Sequence, residues 1–306
     1  MKKLIFVLIF LLSVSFLYSE EKENVTAQEL YARAVKLSDA YDSKSRKEAF
    51  EMLKKAHQMG YVPASLRYGA AYWSGTGTSK DYEKSEAIMT EALSLLAPYL
   101  ENDSNALYEL GNALMFGLGV KKKLYDGYRF IYKAAQKDNL SAAESVAMCL
   151  MQGYGCDKNL QEAFKWFEKA EKLGSVRAKY YLSIFYFNEM AVNRDVEKAL
   201  SLLAEGEKAG DADCIFRLGY IYFNGLNVKR DTDKGIEYYT KAAEMEYGKA
   251  MSALGTCYDK GNGVPQDKEK AMYWLKKAAE KGDSLAINRV ADEKEKKEEE
   301  RKRRKY

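Results

Sequence analysis

A pair of glycines one residue apart recurs along this chain at a fixed period, and no other feature constrains the fold as tightly. Gly117 and Gly119 match Gly153 and Gly155 at a shift of 36, and Gly225 with Asn227 and Gly261 with Gly263 fall on the same frame. At Glu189 and Ala191 the frame holds although both glycines are gone. Counted from the residue eleven places before each first glycine, units begin at Ala64, Ala106, Ala142, Ala178, Cys214 and Ala250. A partial unit starts near Gln28, and a closing segment starts at Ala286. All complete units span 36 residues except that from Ala64 to Asn105, which has 42. Its extra six residues fall within "SLLAPYLENDSN" and are expected to lengthen or break the second helix of that unit.

Each unit carries two apolar periods of helical type, one on either side of the glycine loop. Ala250, Leu254, Cys257 and Tyr258 form one stripe, and Ala271, Trp274, Leu275 and Ala278 form the next. Asp81, Asp195, Asp231 and Asp267 stand where a second helix begins and are expected to cap it. Only three prolines occur, and Pro63 and Pro265 fall in connections, where a missing N–H is tolerated. The glycine loop is therefore read as helix punctuation and not as a phosphate cradle, which occurs once, after a strand. Gly261 is expected to end the first helix and Gly263 to take the left-handed conformation, with Val264, like Val120 and Val228, reaching back into the core.

The unit from Ala250 to Asp283, with its A-x-x-x-L-G-x-x-Y, G-x-G-V and K-A-A-x-x-G elements, resembles the Sel-1-like repeat, a relative of the tetratricopeptide repeat. The resemblance runs from residue 28 to 285 and is weaker at Ala178, where Ser183 replaces the glycine of L-G, and at Gln28, which lacks the loop. It implies an all-α fold, an α/α right-handed superhelix of about seven helix pairs, and a role as adaptor or scaffold. Family members include chaperone-like assembly factors, bacterial host-interaction factors and signalling adaptors.

The N-terminus, "MKKLIFVLIFLLSVSFLYSE", joins two lysines, an apolar run from Leu4 to Leu17 and small residues at Ser15 and Ser19. This predicts a signal peptide over residues 1–19, a linker over 20–27, the repeats over 28–285, and a closing helix with a charged tail over 286–306. Export follows as an expectation, to the cell envelope or beyond.

Because the unit is repeated, each position can be compared across copies. The first, fifth, eighth and ninth places of the first helix are small or apolar and share one stripe. The third, seventh and tenth places lie opposite and are rich in aromatic residues and methionine in the middle units. Either this stripe lines an inner groove, or neighbouring helices cover it. The groove reading makes Tyr108, Met148, Met151, Tyr180, Ile184, Phe187, Phe216, Tyr220 and Phe223 the candidate partner-binding residues. A protein or peptide would be the ligand, an apolar helix or an extended segment.

For other chemistries the sequence is poor. The four cysteines, Cys149, Cys156, Cys214 and Cys257, stand at places that are otherwise apolar. Buried free thiols are expected, with a Cys149–Cys156 bridge as the alternative. Some secreted relatives staple each repeat with a cysteine pair, but Gly206 and its neighbours supply no partner for Cys214. The single histidine, His57, occupies an alanine slot of a degenerate unit and reads as structural rather than as a general base. Nucleophile-elbow and P-loop patterns are absent, so no cofactor, metal or catalytic residue is assigned. Interspersed charges and a net charge of +4 leave no broad basic face for nucleic acid. The basic end from Arg301 to Lys305 reads as a solubilising tail or a weak contact with an anionic surface. The resemblance also leaves one enzymatic alternative, a cell-envelope enzyme or regulator acting on peptidoglycan or β-lactam-type ligands.

Overall fold

A computed structural model describes residues 25–38 and 42–303. The predicted signal peptide, residues 1–19, lies outside them, as do most of the linker and the last three residues of the tail. Among the described residues there is no strand, and fifteen α-helices follow one another along the chain.

They form consecutive pairs: α1 (Ala27–Ser38) with α2 (Ser43–Gln58), α3 (Val62–Ser74) with α4 (Tyr82–Ser94), and α5 (Ser104–Phe116) with α6 (Leu124–Gln136). The series continues with α7 (Leu140–Gln152) and α8 (Leu160–Lys172), then α9 (Val176–Phe187) and α10 (Val196–Lys208). It ends with α11 (Ala212–Asn224) and α12 (Thr232–Glu244), α13 (Gly248–Lys260) and α14 (Lys268–Glu280), and the unpaired α15 (Ser284–Arg303). The insertion breaks its unit's second helix: α4 stops at Ser94, and a 3-10 turn at Ala97–Tyr99, opened by Pro98, leads to α5.

Local chemistry explains most boundaries. The carboxylates of Asp81, Asp195, Asp231 and Asp267 accept from the backbone N–H three residues on, at 2.8–3.0 Å, meeting an orphan donor of the first turn. The first helices are capped as well, by Asp103, Asn139, Ser175 and Asp211, each three places before the leading residue of its unit. The glycine that follows α3, α5, α7, α11 and α13 adopts φ between 68° and 77°, and its N–H bonds back to the carbonyl four residues earlier.

Each pair packs its apolar stripes together and hands a second face to the next pair. Ala106, Leu110 and Ala113, and Ala250, Leu254 and Cys257, are buried as their spacing predicts. Helices cross closely where the L-G glycine stands: a Cβ on Gly111 would lie 2.9 Å from the carbonyl oxygen of Gly127 on α6. Ser183 replaces that glycine in α9, stays buried and satisfies its hydroxyl on the Tyr180 carbonyl at 2.6 Å. Val120, Val228 and Val264 pack half-buried against the core.

The stack turns far enough to meet itself. Arg46 and Thr78 of the first two units and Glu246, Glu280 and Lys281 of the last two line one cavity of about 450 Å³. The first helices line the inner side of this turn, where Tyr31, Tyr108, Ser141 and Val176 of four of them border one space.

Candidate partner-binding trough

The two readings of the inner stripe divide by position. At the third place Leu66 and Ser252 are buried, and at the tenth place so are Met115 and Phe187. The seventh place stays open to varying degrees, half-buried at Asn112, Met148 and Ile184 and exposed at Tyr220, which is 41% accessible.

Phe187 is the clear correction: only 6% exposed, it packs with Leu203, Leu218 and Ile221 as part of the core. Phe216 and Phe223 are half-buried because both lie against Tyr239 of α12, at ring-centroid distances of 5.5 and 5.7 Å. Phe216 also meets Tyr247 at 5.5 Å, so these two phenylalanines brace the interior and show only an edge. Tyr180 sits edge-on to Tyr181 at 5.2 Å, and Met151 packs half-buried on the central core. The turn between pairs presses Leu66, Ser252, Met115 and Phe187 into neighbouring helices and leaves other third and tenth places partly open, a difference that a single helix does not reveal.

Two cavities open along the inner side. One, of about 480 Å³, is lined by Tyr108, Asn112, Met148 and Tyr181 among others. The second, of about 560 Å³, reaches from Tyr31 and Val35 of α1 to Val176 of α9. Tyr108, Ser141, Glu144 and Arg177 line both, so the cavities form one trough across α5, α7 and α9, with α1 as a wall. Of the candidate residues, the structure brings Tyr108 and Met148 together in this trough. Tyr220 stands further along the stack, on α11.

The trough is more polar than the aromatic stripe suggested. Glu109, buried at 4% exposure, accepts from Tyr31 Oη at 2.6 Å and pairs with Arg67 Nη1 at 2.9 Å, while Arg67 Nη2 donates to Ser38 Oγ at 2.8 Å. Burial first, and then the Glu109 charge, push the Tyr31 phenol well above its ordinary value, so it remains a donor. Ser175 Oγ donates to Glu144. Burial likewise raises the Tyr108 phenol. Glu144 holds the third place of the inner stripe, where other copies carry aromatic residues, whereas Ser141 and Arg177 lie outside that stripe. The available signal was the place just before each leading residue, which reads Asn105, Ser141, Arg177 and Asp213 where the outer positions are freely charged.

The remaining sequence candidates have structural surroundings. His57 Nδ1 lies 2.8 Å from Ser65 Oγ and the ring stacks on Tyr68 at 5.3 Å, but Ser65 is buried and neither residue lines the trough. Cys149 and Cys156 are both free thiols, as are Cys214 and Cys257. Gly206 lies against Cys214, and its lack of a side chain makes room for the Cys214 sulfur, which a Cβ there would strike.

This architecture is shared with solved structures. A Sel1 repeat protein from Oxalobacter formigenes superposes with a TM-score of 0.60 at 23% identity, over 81% of this chain and 96% of that one. The c5321 protective antigen of uropathogenic Escherichia coli, which displays the same fold, superposes at 0.50 with 24% identity, over 86% of this chain and 56% of that one. Both likenesses concern the fold alone. No curated protein sequence matches the chain significantly. The Sel1 repeat model matches six times, at residues 62–95, 104–139, 140–175, 176–211, 212–247 and 248–283, two places ahead of the units counted from the leading residues. The chain belongs to the Sel1 repeat family.

Proposed function

We propose that this protein is an exported, non-enzymatic scaffold that holds a protein or peptide partner along its inner trough. Sel1 repeat proteins generally serve protein–protein interaction, and the finer reading rests on one observation: two cavities fuse across three successive first helices through Tyr108, Ser141, Glu144 and Arg177. A trough that crosses repeats suits an extended ligand, because each added unit extends the contact without a new fold. Half-buried Tyr, Met and polar groups side by side match the composition of partner-binding surfaces. Export rests on the pattern from Met1 to Ser19, and the exposed Arg301–Arg303 turn of α15 would add at most a weak contact with an anionic envelope surface.

Photo-crosslinking residues placed at Met148 or Tyr220 in cells that make the protein, with Tyr125 on the outer face of α6 as control, test the reading. The expected outcome is one defined adduct from the inner positions and none from Tyr125, which is 66% exposed. Equal crosslinking from all three positions would refute an inner-face partner site.

A further inference from the structure

We infer that Arg217 anchors a side-chain carboxylate of the segment held on the inner face, an inference that rests on the reading of that face as the partner site. Arg67, Arg217 and Arg289 share one position, the fourth place of their first helices. Two of them have an internal acid: Arg67 pairs with Glu109, and Arg289 pairs with Asp259. Asp259 is the tenth place of the unit before Arg289, and the same place in the unit before Arg217 is Phe187, over whose ring the Arg217 guanidinium lies. Where the Arg289 side chain meets a carboxylate, that of Arg217 meets a phenyl ring.

The guanidinium is prepared for a carboxylate partner. Its central carbon lies 5.9 Å from the Phe187 ring centroid and 5.5 Å from that of Tyr220, so the plane is held by two aromatic rings. Its Nε is buried and has no acceptor. Among the described residues Arg217 makes no ion pair, and Asp213, one turn earlier on α11, accepts the Tyr247 hydroxyl at 2.5 Å. A partly desolvated, pre-oriented fork with unmet donors favours a planar carboxylate over water, because little rotamer freedom remains to be lost on binding. The exposed Tyr220 ring beside it offers an apolar contact to the flanking residue of the ligand. The inner face continues from Arg217 onto α9, so a segment that carries the carboxylate on a side chain would lie along α9 and α11.

The test uses the full chain and short random peptides displayed as a library. Enriched sequences are resynthesised with amidated C termini and measured by fluorescence anisotropy. The expected result is an Asp or Glu fixed at one position, whose change to Asn or Gln weakens binding by about tenfold or more. R217Q and R217K should each lose that same factor against the acidic peptide, bind the amide peptide as the parent chain does, and keep the parent melting temperature. Rising salt should shrink the difference. Enriched peptides that lack a fixed acid and bind the parent and R217Q equally would overturn the inference while leaving the inner-face reading intact. A library that yields no binder to the full chain would overturn both.

Discussion

Glu109 shows what a single residue contributes here. Its carboxylate is buried at 4% exposure and gains its compensation from Arg67 and Tyr31, residues brought from two other helices. Arg67→Met should destabilise the chain by roughly 3 kcal/mol, because a buried charge is left without its partner, while Arg67→Met with Glu109→Met should cost less than that single change. Urea unfolding of Arg67→Met, Glu109→Met and the double variant gives the comparison, and additive losses would contradict it. The cysteines make a second residue-scale case. Burial raises the Cys257 thiol to about 11, and burial with the neighbouring Cys156 raises Cys149 to about 12. A raised thiol value favours the neutral form, so at pH 8 alkylation followed by mass spectrometry should mark the half-buried Cys156 first and the other three only on unfolding. Their apolar placement was legible in the repeat alignment, since all four fill slots where other copies carry apolar or small residues. The Arg67–Glu109 pair was not, because it joins residues 42 apart whose meeting depends on how two units stack.

At the scale of the element, the loop between α9 and α10 is the instructive one. Glu189 and Ala191 hold φ of 54° and 61°, the left-handed conformation that glycine, and in one copy Asn227, takes elsewhere. Stacking on both sides overrides the local preference. Glu189→Gly and Ala191→Gly should each stabilise the protein by about 0.5–1 kcal/mol, the left-handed penalty relieved minus the extra chain entropy of glycine. A raised urea midpoint checks this, and an unchanged or lowered one would show the loop to be relaxed as it stands. Helix ends were largely readable: the caps at Asp81, Asp195, Asp231 and Asp267 follow from the residue type ahead of each periodic run. Caps on the first helices share a fixed place too, but Tyr61 and Tyr247 occupy it in two units and bury their rings instead, which blurs the pattern.

For the whole molecule, a stack of like units must end in something water tolerates. Helix α15 does this: Ala286 is fully buried against the last pair, while the helix turns increasingly charged toward Arg303. Its clamp is Asp259, which bonds Lys268 and pairs with Arg289. Its hydrogen bond with Lys268, and then that with Arg289, outweigh a partial burial and hold the Asp259 carboxyl below its usual 3.8. A lowered carboxyl value gives stabilisation that is present above the unfolded value and lost as pH falls through the folded one. The protection factors of α15 amides should therefore stay high from pH 7 to 5 and fall below about 4, whereas Asp259→Asn should lower them throughout. A parent chain already unprotected at neutral pH would rule the clamp out. Removing residues 284–306 should uncover the apolar end around Leu275 and drive self-association, seen by sedimentation velocity.

By itself the sequence determined the period, the pairing of helices, the side of each helix that is packed, and the loops that turn between them. Those properties come from contacts inside one unit or between adjacent ones, and six near-copies display them repeatedly. Only the tertiary structure decided which inner residues stay open: Tyr220 is exposed and Phe187 is core although they occupy neighbouring places of one stripe. That outcome depends on the rotation from each pair to the next, which sets how far one helix covers its neighbour. A sum of many small packing contacts over the whole stack fixes that rotation, and no single stretch of residues encodes it.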